Sequence, residues 1–593
     1  MRVADYIMHR LEEAGVGHVF LVTGRGALFL TDALAKNEKL QSVCNHHEQA
    51  SAFAAVAYAE QTGGLGACLV STGCASTNTL TGVLSAWQDA VPCIFISGQN
   101  TLRETSRHTG IGVRSYGQQE ADIVKIVESI TKYAKMIERP EEIFAAMDEA
   151  LALACSGRKG PVWIDVPLDL QSALIDPASH VRGVAFHSTP RASAEDVSAV
   201  VQVLAEAKRP AILIGSEIKT PIANVELRKF AENWHIPVTF DASAPDVFGA
   251  GHNISIGSVG SMGCSRAGNF TIQNCDCLLV LGSRLTSIIT GPDFCKFARQ
   301  AKIIVVDTDD LEHKKESVRV DQFVLSDVGY FLESLNSQGV QEKDAEWLNK
   351  CIHWKRLFSQ VEPEFRCADR TDLYELADVL SELLPRPSTL VTDSGLIEVI
   401  LPTNLRFTDG VNCIHPFSQG AMGFALPAAI GAYFGKAQTI VAVIGDGSIM
   451  MNLQELETIR YHKLPIKILV VNNNVYSIIR RRQRDLFRKR IIGTDPANGV
   501  SCPDFSKVAS CYDFEYFRIE SPAELKSGLG DVFSRNAPVI CEIMGRVDQE
   551  YIEVGHARSL VDKRFVRRPL EDQAPFLHRE LFLSEMIIDP IDQ

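Results

Sequence analysis

No stretch of the chain approaches the roughly 18–20 consecutive apolar residues that a membrane-spanning helix requires. The opening residues, MRVADYIMHRLEEAGV, lack the uninterrupted apolar segment of a secretory leader. They pattern instead as an amphipathic helix with Val3, Tyr6, Ile7, Leu11 and Ala14 as its apolar positions. Excess positive charge is also missing: 59 Lys and Arg stand against 73 Asp and Glu, a formal net charge of −14. That balance argues against nucleic acid or an anionic membrane as the main partner. The 15 cysteines form no CxxC…CxxC pattern, the nearest pairs being Cys68/Cys74 and Cys275/Cys277, so neither a disulfide scaffold nor a zinc site is expected. Free or buried thiols in a soluble, cytoplasmic protein are the expectation. Low-complexity tracts and repeats of 20–50 residues are absent, which sets aside solenoids and propellers.

What is present is alternation. At 593 residues the chain is too long for a single core. Short apolar runs that end in Gly, Thr, Ser or Asp alternate with helical patterns, which predicts an α/β fold of doubly wound parallel sheets. The first third holds HVFLVTG, GACLVSTG, PCIFISGQ and GPVWIDVPLD; the middle holds PAILIGS, IPVTFDA, CLLVLGSR and KIIVVDTD; the last holds TLVTDSG, TIVAVIGDGS, KILVVNNN and PVICEIMG. Periodicity fades over about 171–193, and a polar, helix-prone stretch covers about 336–370. Three domains follow, at 1–172, 190–338 and 365–550, with a charged arm carrying aromatic anchors at 551–593.

Two turns of the last domain carry the chemistry. After TIVAVI come Gly445, Asp446 and Gly447, with Ser448 opening a helical pattern, IMMNLQELETIRYH. Glycines allow close approach of a bulky polyanion, and a helix start offers free N–H groups to phosphate. An acid at 446 would repel phosphate unless a divalent cation lies between them. Mg²⁺ takes oxygen ligands from one or two protein groups plus substrate phosphates. The next strand, KILVV, ends in Asn472, Asn473 and Asn474, and an asparagine oxygen there supplies a neutral second ligand. The pattern is not G-x-G-x-x-G, since Met450 stands at the third glycine, and it is neither a Walker loop nor an EF-hand. A Gly-Asp-Gly turn beside an unrelated polar loop is the alternative.

GDGS at 445–448, with 24 residues (448–471) before NN at 472–473, resembles the GDG-x(24–27)-NN motif of thiamine diphosphate (ThDP)-dependent enzymes. The resemblance runs along nearly the whole chain and is nearest the acetolactate synthase-like branch. It implies pyrimidine-binding, central and diphosphate-binding domains. It makes Asp446 and Asn473 side-chain ligands of Mg²⁺ and Val475 a backbone-carbonyl ligand, with Asn472 and Asn474 shaping the turn. CNHHEQASAFAAVAYA is similar to the family stretch HEQAAAFAA, which places Glu48 as the acid that activates the aminopyrimidine; Asn45 with Glu48 also fits a helix capping box. HPFSQGAMGFALPAAIGA resembles GxMGxxLPAAIGA, making Met422 the wedge that bends the cofactor and Gly420 the carbonyl facing its amine; filling core is the alternative for Met422.

By the same resemblance, Glu48 and the Asp446 turn face each other from different subunits, so a homodimer or homotetramer is implied. The central domain resembles the one that carries FAD in acetolactate synthases, with Arg284, Asp307 and the Gly-rich segment 257–265 as contacts; a purely structural domain is the alternative. Several positions depart from acetolactate synthase. Ala75 replaces a glycine in STGCASTN, Gln118 replaces an aromatic beside Gln119 and Glu120, LIE at 396–398 replaces QHQ, and Arg482 replaces a tryptophan. Gln119 is assigned substrate orientation. The run Arg480–Arg482 either lines the entrance or forms a solvated face. The tail resembles the arm of family members that act on nucleotide-linked sugars. The expected reaction is decarboxylation of a 2-ketoacid, pyruvate first, with transfer of the two-carbon unit to a carbonyl acceptor such as a keto sugar. Authentic acetolactate synthase, simple decarboxylase and catalytically silent nucleotide-binding protein are the rivals.

Overall fold

Each of the twelve apolar runs named above forms a strand, and each takes an interior position in one of three six-stranded sheets, four per sheet. The edge strands Gln41–Cys44, Tyr133–Met136, Ser255–Ser258, Gln322–Leu325, Val411–Ile414 and Glu515–Ile519 carry no such signal. The cause is burial. An interior strand of a parallel sheet is covered on both faces and reads as a continuous apolar run. An edge strand is half open: in Gln41–Cys44 only Val43 is buried. The computed structural model describes all residues except 181–188, 250, 340–342, 344, 359–360, 488–489, 559–563 and 592–593. Part of the expected 171–193 linker, and a short piece of the arm, therefore lie outside the described residues.

All pairings in the three sheets are parallel. The first and third sheets share one strand order, 2-1-3-4-6-5 in each domain's own count. The central sheet has the order 3-2-1-4-5-6, that of a doubly wound nucleotide-binding domain. Ligands of such sheets bind beyond the carboxyl ends of the strands, near the point where the order reverses. In the third domain that point lies between Ser388–Thr392 and Thr439–Gly445.

The first and third domains share a core. Helix Glu48–Thr62 is buried from Ala50 to Ala59 and packs between its own sheet and helix Ala425–Gly435. Small side chains make this possible: a Cβ on Gly431 would stand 2.0 Å from the Ala54 carbonyl oxygen. The stretch expected to link the second and third domains belongs largely to the central core. Helix Ala345–Leu357 buries Trp347, Cys351 and Trp354, and the Trp347 indole donates to the Pro210 carbonyl at 2.8 Å. The C-terminal arm lies over the central domain, where Gln573 meets Asn269, Glu571 meets Gln273 and Glu585 meets Trp354.

The helix expected after Ser448 is broken. A 3₁₀ turn, Ile449–Met451, precedes helix Glu455–Tyr461. Between them the buried Asn452 side chain donates to the Gly423 carbonyl (2.9 Å) and to Gln49 (3.2 Å), tertiary bonds that compete with helix continuation.

Candidate active site

The Asp446 and asparagine turns are tied to each other by the backbone. The Asp446 N–H donates to the Val471 carbonyl at 3.1 Å, and the Asn474 N–H donates to Asp446 Oδ2 at 2.5 Å. Gly447 N–H binds Oδ1 at 2.8 Å. The carboxylate is buried, and no ion pair reaches it among the described residues. Burial pushes its pKa up to about 6 against the pull of those backbone N–H groups. A buried carboxylate held by backbone N–H groups and the Cys502 thiol, none of them cationic, leaves a charge that a cation would relieve. Gly447 is sterically required, because a Cβ there would stand 1.9 Å from the Tyr476 ring. At Gly445 an added Cβ would only touch Ile397 at 3.8 Å, so that face of the turn is open.

The three asparagines divide their work. Asn472 Nδ2 donates to Glu542 at 2.6 Å while its Oδ1 accepts from the Asn474 N–H at 3.0 Å. Asn474 sits at φ 57°, the left-handed conformation that Asn tolerates best among side chains with a Cβ. Both therefore shape the turn. Asn473 Nδ2 donates to Ser477 Oγ at 2.6 Å, and its Oδ1 accepts from the Val475 N–H at 3.1 Å, leaving a lone pair free. Asp446, Asn473 and Val475 all lie on these two joined turns, and carboxylate, amide and carbonyl oxygens are of the hard type that Mg²⁺ takes.

Sequence reasoning missed the residue that braces this edge. Asp393, buried at the switch point, accepts from the N–H groups of Ser394 (2.8 Å), Gly423 (3.1 Å) and Ala425 (2.8 Å), fixing the Gly420–Met422 turn against the sheet. An acid directly after a buried strand was the available signal. Gly420 has φ 58°, and Met422 is half-buried in the same turn.

In the first domain Glu48 opens its helix, with Oε2 accepting from Asn78 at 2.9 Å. The capping box does not form. His47 is the N-cap, without a side-chain cap bond, and Asn45 instead donates to Glu455 of the third domain (2.9 Å) and accepts from Ser51 (3.1 Å). Glu455, also unforeseen, fastens the start of this helix by accepting the His46 N–H at 2.9 Å. Within the single chain, no described hydrogen bond joins Glu48 to the Asp446 turn.

Residues 393–543 match the thiamine pyrophosphate enzyme C-terminal TPP binding domain, 1–126 the N-terminal TPP binding domain and 197–335 the central domain. The chain is similar to the acetolactate synthase isozyme 2 large subunit of Escherichia coli (strain K12), at 30% identity over 92% of this chain and 95% of that protein. It is 30% identical to the acetolactate synthase large subunit of Parasynechococcus marenigrum (strain WH8102), over 91% of this chain and 87% of that one. An acetolactate synthase of Arthrospira platensis is 28% identical over 93% and 96%. The chain belongs to the thiamine pyrophosphate enzymes, acetolactate synthase-like branch.

The central domain of this ThDP enzyme has a cavity of about 460 Å³ at its carboxyl edge, open to the first and third domains. Its lining is mixed in charge, with Arg158, Lys159, Lys219 and Arg284 set among acids. Arg284 lines it but is engaged, donating to the Gln88 carbonyl (2.8 Å) and Ser418 (3.2 Å) and facing Glu312 at 3.3 Å. Asp307 is turned inward, accepting the Asp309 N–H at 2.9 Å beside His313 at 3.2 Å. Gly263 of the Gly-rich segment packs on the third domain: its carbonyl accepts from Asn404 at 2.6 Å, and a Cβ there would meet the Val399 oxygen at 2.2 Å. The first turn of the domain carries Glu217, whose carboxylate accepts from Thr308 Oγ1 at 2.5 Å; burial and Asp307 push its pKa up. Glu60, Asp89, Asp241 and Asp246 add further acids to the lining.

On the acceptor side, the arginine run is mostly neutralised. Arg480 pairs with Asp548 (2.5 Å) and Asp495 (3.2 Å), and Arg481 with Glu553 (2.8 Å) and Glu550 (3.3 Å). Arg482 is exposed and makes no ion pair among the described residues. Glu398, of the LIE triplet, has its Oε2 3.2 Å from where a Gly420 Cβ would lie; burial, then Asp89 and Asp393, raise its pKa well above the carboxylate range. Gln119 holds a left-handed φ of 59° on an exposed loop, while Glu120 is buried and latches that loop to Ser106 and Tyr116. Among the described residues no helix is long and apolar enough to cross a membrane.

Proposed function

We propose that this enzyme decarboxylates a 2-ketoacid, pyruvate first, and joins the acyl unit to the carbonyl of a second 2-ketoacid, forming an acetolactate-type product. The full-length likeness to acetolactate synthases carries the reading. The nucleotide-linked keto sugar expected from the tail and the arginine run has less support, because Arg480 and Arg481 already face acids.

When bound, ThDP supplies a nucleophilic carbon and an electron sink. Asp446, Asn473 and the Val475 carbonyl hold Mg²⁺, with Gly445, Gly447 and Ser448 lining the turn toward the diphosphate. Gly420 would offer its carbonyl to the aminopyrimidine, and Met422 would pack against the cofactor. Glu48, lent by a second copy, would hold a proton at the aminopyrimidine ring, which makes the active unit at least a dimer. Gln119 orients the substrate. Arg284 and Asp307 are the central-domain residues that would meet FAD when it is bound. The proposed domains are 1–172, 190–338 and 365–550, with helix Ala345–Leu357 joined to the second and an arm from 551.

Incubation with ThDP, Mg²⁺ and pyruvate alone tests the reading. Acetolactate is the expected product. Free acetaldehyde, or turnover only after a keto sugar is added, would overturn it.

A further inference from the structure

The carboxyl edge of the first sheet holds a small polar nook whose arginine none of the assignments above explains. It is lined by Arg25, Ser71, Thr72, Asn100, Gln118 and Gln119, among others. The flanking strands His18–Leu21 and Gly66–Val70 are the first and third of their domain, and the strand order reverses between them. Ligands of open parallel sheets gather at that position.

The nook is built rather than incidental. Arg25 Nη1 donates to Gln118 Oε1 at 2.7 Å, and Asn100 Nδ2 donates to the Gln118 carbonyl at 2.9 Å. The Gly26 N–H donates to Ser71 Oγ at 3.0 Å, closing the loop that carries Arg25 onto the next strand end. The Gln119 carbonyl is pressed against Gly73, where any Cβ would lie 1.6 Å from it. Gln119 itself holds a left-handed φ of 59°, a strained conformation for a side chain with a Cβ. Strain of this kind persists where surrounding structure over-determines a loop, and it clusters at ligand sites.

The charge in this nook is unbalanced. Arg25 is exposed and makes no ion pair among the described residues. The one acid in the lining, Glu104, accepts from Thr101 Oγ1 at 2.7 Å and from the Thr101 N–H at 3.3 Å. A guanidinium presents five donors in a planar fork, and a single amide oxygen satisfies one of them. The fork matches a carboxylate, which it binds bidentately.

We propose that Arg25, braced by Gln118, receives the carboxylate of the acceptor 2-ketoacid. The inference rests on the reaction proposed above and deepens it by naming the group that selects the second substrate. Gln118 sets the fork and acts through Arg25, so it is a positioning residue. An acceptor without a carboxylate, such as acetaldehyde, has no use for the subsite.

The test compares Arg25→Gln, Arg25→Lys and Gln118→Leu with the wild-type holoenzyme. Three readouts are needed: ThDP binding by calorimetry, CO₂ release, and the ratio of acetolactate to acetoin when pyruvate and acetaldehyde compete as acceptors. In Arg25→Gln the acceptor KM for pyruvate should rise roughly 10- to 100-fold, the loss of one charge-assisted pair. ThDP affinity should hold and acetoin should fall less than about twofold, so the product ratio shifts toward acetoin. Arg25→Lys should recover part of the loss, and Gln118→Leu should show a smaller shift of the same sign. An unchanged product ratio overturns the proposal, as does an equal loss of both products with ThDP still bound. A raised KM for CO₂ release measured with acetaldehyde saturating as the acceptor moves the residue to the donor and overturns it too. Inhibition of the wild type by a nucleoside diphosphate that Arg25→Gln abolishes would reassign the cation to phosphate. Failure of the wild type to form acetolactate contradicts the reaction itself and is separable from every variant result.

Discussion

Asp446→Asn should stabilise the protein without cofactor while abolishing its response to cofactor. The buried Asp446 carboxyl has a pKa of about 6 against an ordinary 3.8. That gap of about 2 units corresponds to ~3 kcal/mol between the protonation states. Because the folded value is the higher one, the cost of ionising is absent below pH 4, where both states keep the proton. It grows as pH rises to about 6 and stays constant above. Asparagine removes the charge and turns one NH₂ toward the N–H groups of Gly447 and Asn474, forfeiting about 1 kcal/mol. The cofactor-free variant should therefore exceed the wild type by ~1–2 kcal/mol at pH 8, and should lose that advantage near pH 4. Thermal unfolding at both pH values, with and without ThDP and Mg²⁺, reads the effect. Cofactor should raise the wild-type midpoint and leave the variant's unmoved. A variant less stable than the wild type at pH 8 in the absence of cofactor, or one stabilised equally by ThDP and Mg²⁺, would refute the reasoning.

Glu48→Gln should keep ThDP affinity by calorimetry within a few-fold and remove most turnover, since the helix start needs no cap from Glu48; full activity would contradict its role. Gly447→Ala forces the Tyr476 ring aside and should destabilise the third domain by ~1–3 kcal/mol while weakening ThDP binding, read by unfolding and calorimetry. Mg²⁺-dependent ThDP affinity should fall as pH drops through about 6, because a proton on Asp446 competes with the metal; a flat profile from pH 7.5 to 5 would contradict this.

The interior of the fold was legible because a strand covered on both faces has only apolar residues to show, as in Pro210–Ile214 and Cys277–Leu281. The six edge strands were not, and Glu515–Ile519 shows why: with one side open, EYFRI mixes charge and aromatics. At the candidate site, the Asp446 turn and the asparagine run announced themselves by residue type and spacing. Glu455 and Arg25 did not, because their partners lie far along the chain: Glu455 meets Asn45 across 410 positions and Arg25 meets Gln118 across 93. Local pattern cannot report such pairs. The same limit explains the helix expected after Ser448, where periodicity was present but Asn452 is claimed by Gly423 and Gln49.

The most direct test is a crystal structure of the protein grown with ThDP and Mg²⁺. The account predicts one ion held by Asp446, Asn473 and the Val475 carbonyl against the diphosphate, with Glu48 of a neighbouring copy at the aminopyrimidine ring. An ion bound elsewhere, or a cofactor reached by Glu48 of its own chain, would contradict it.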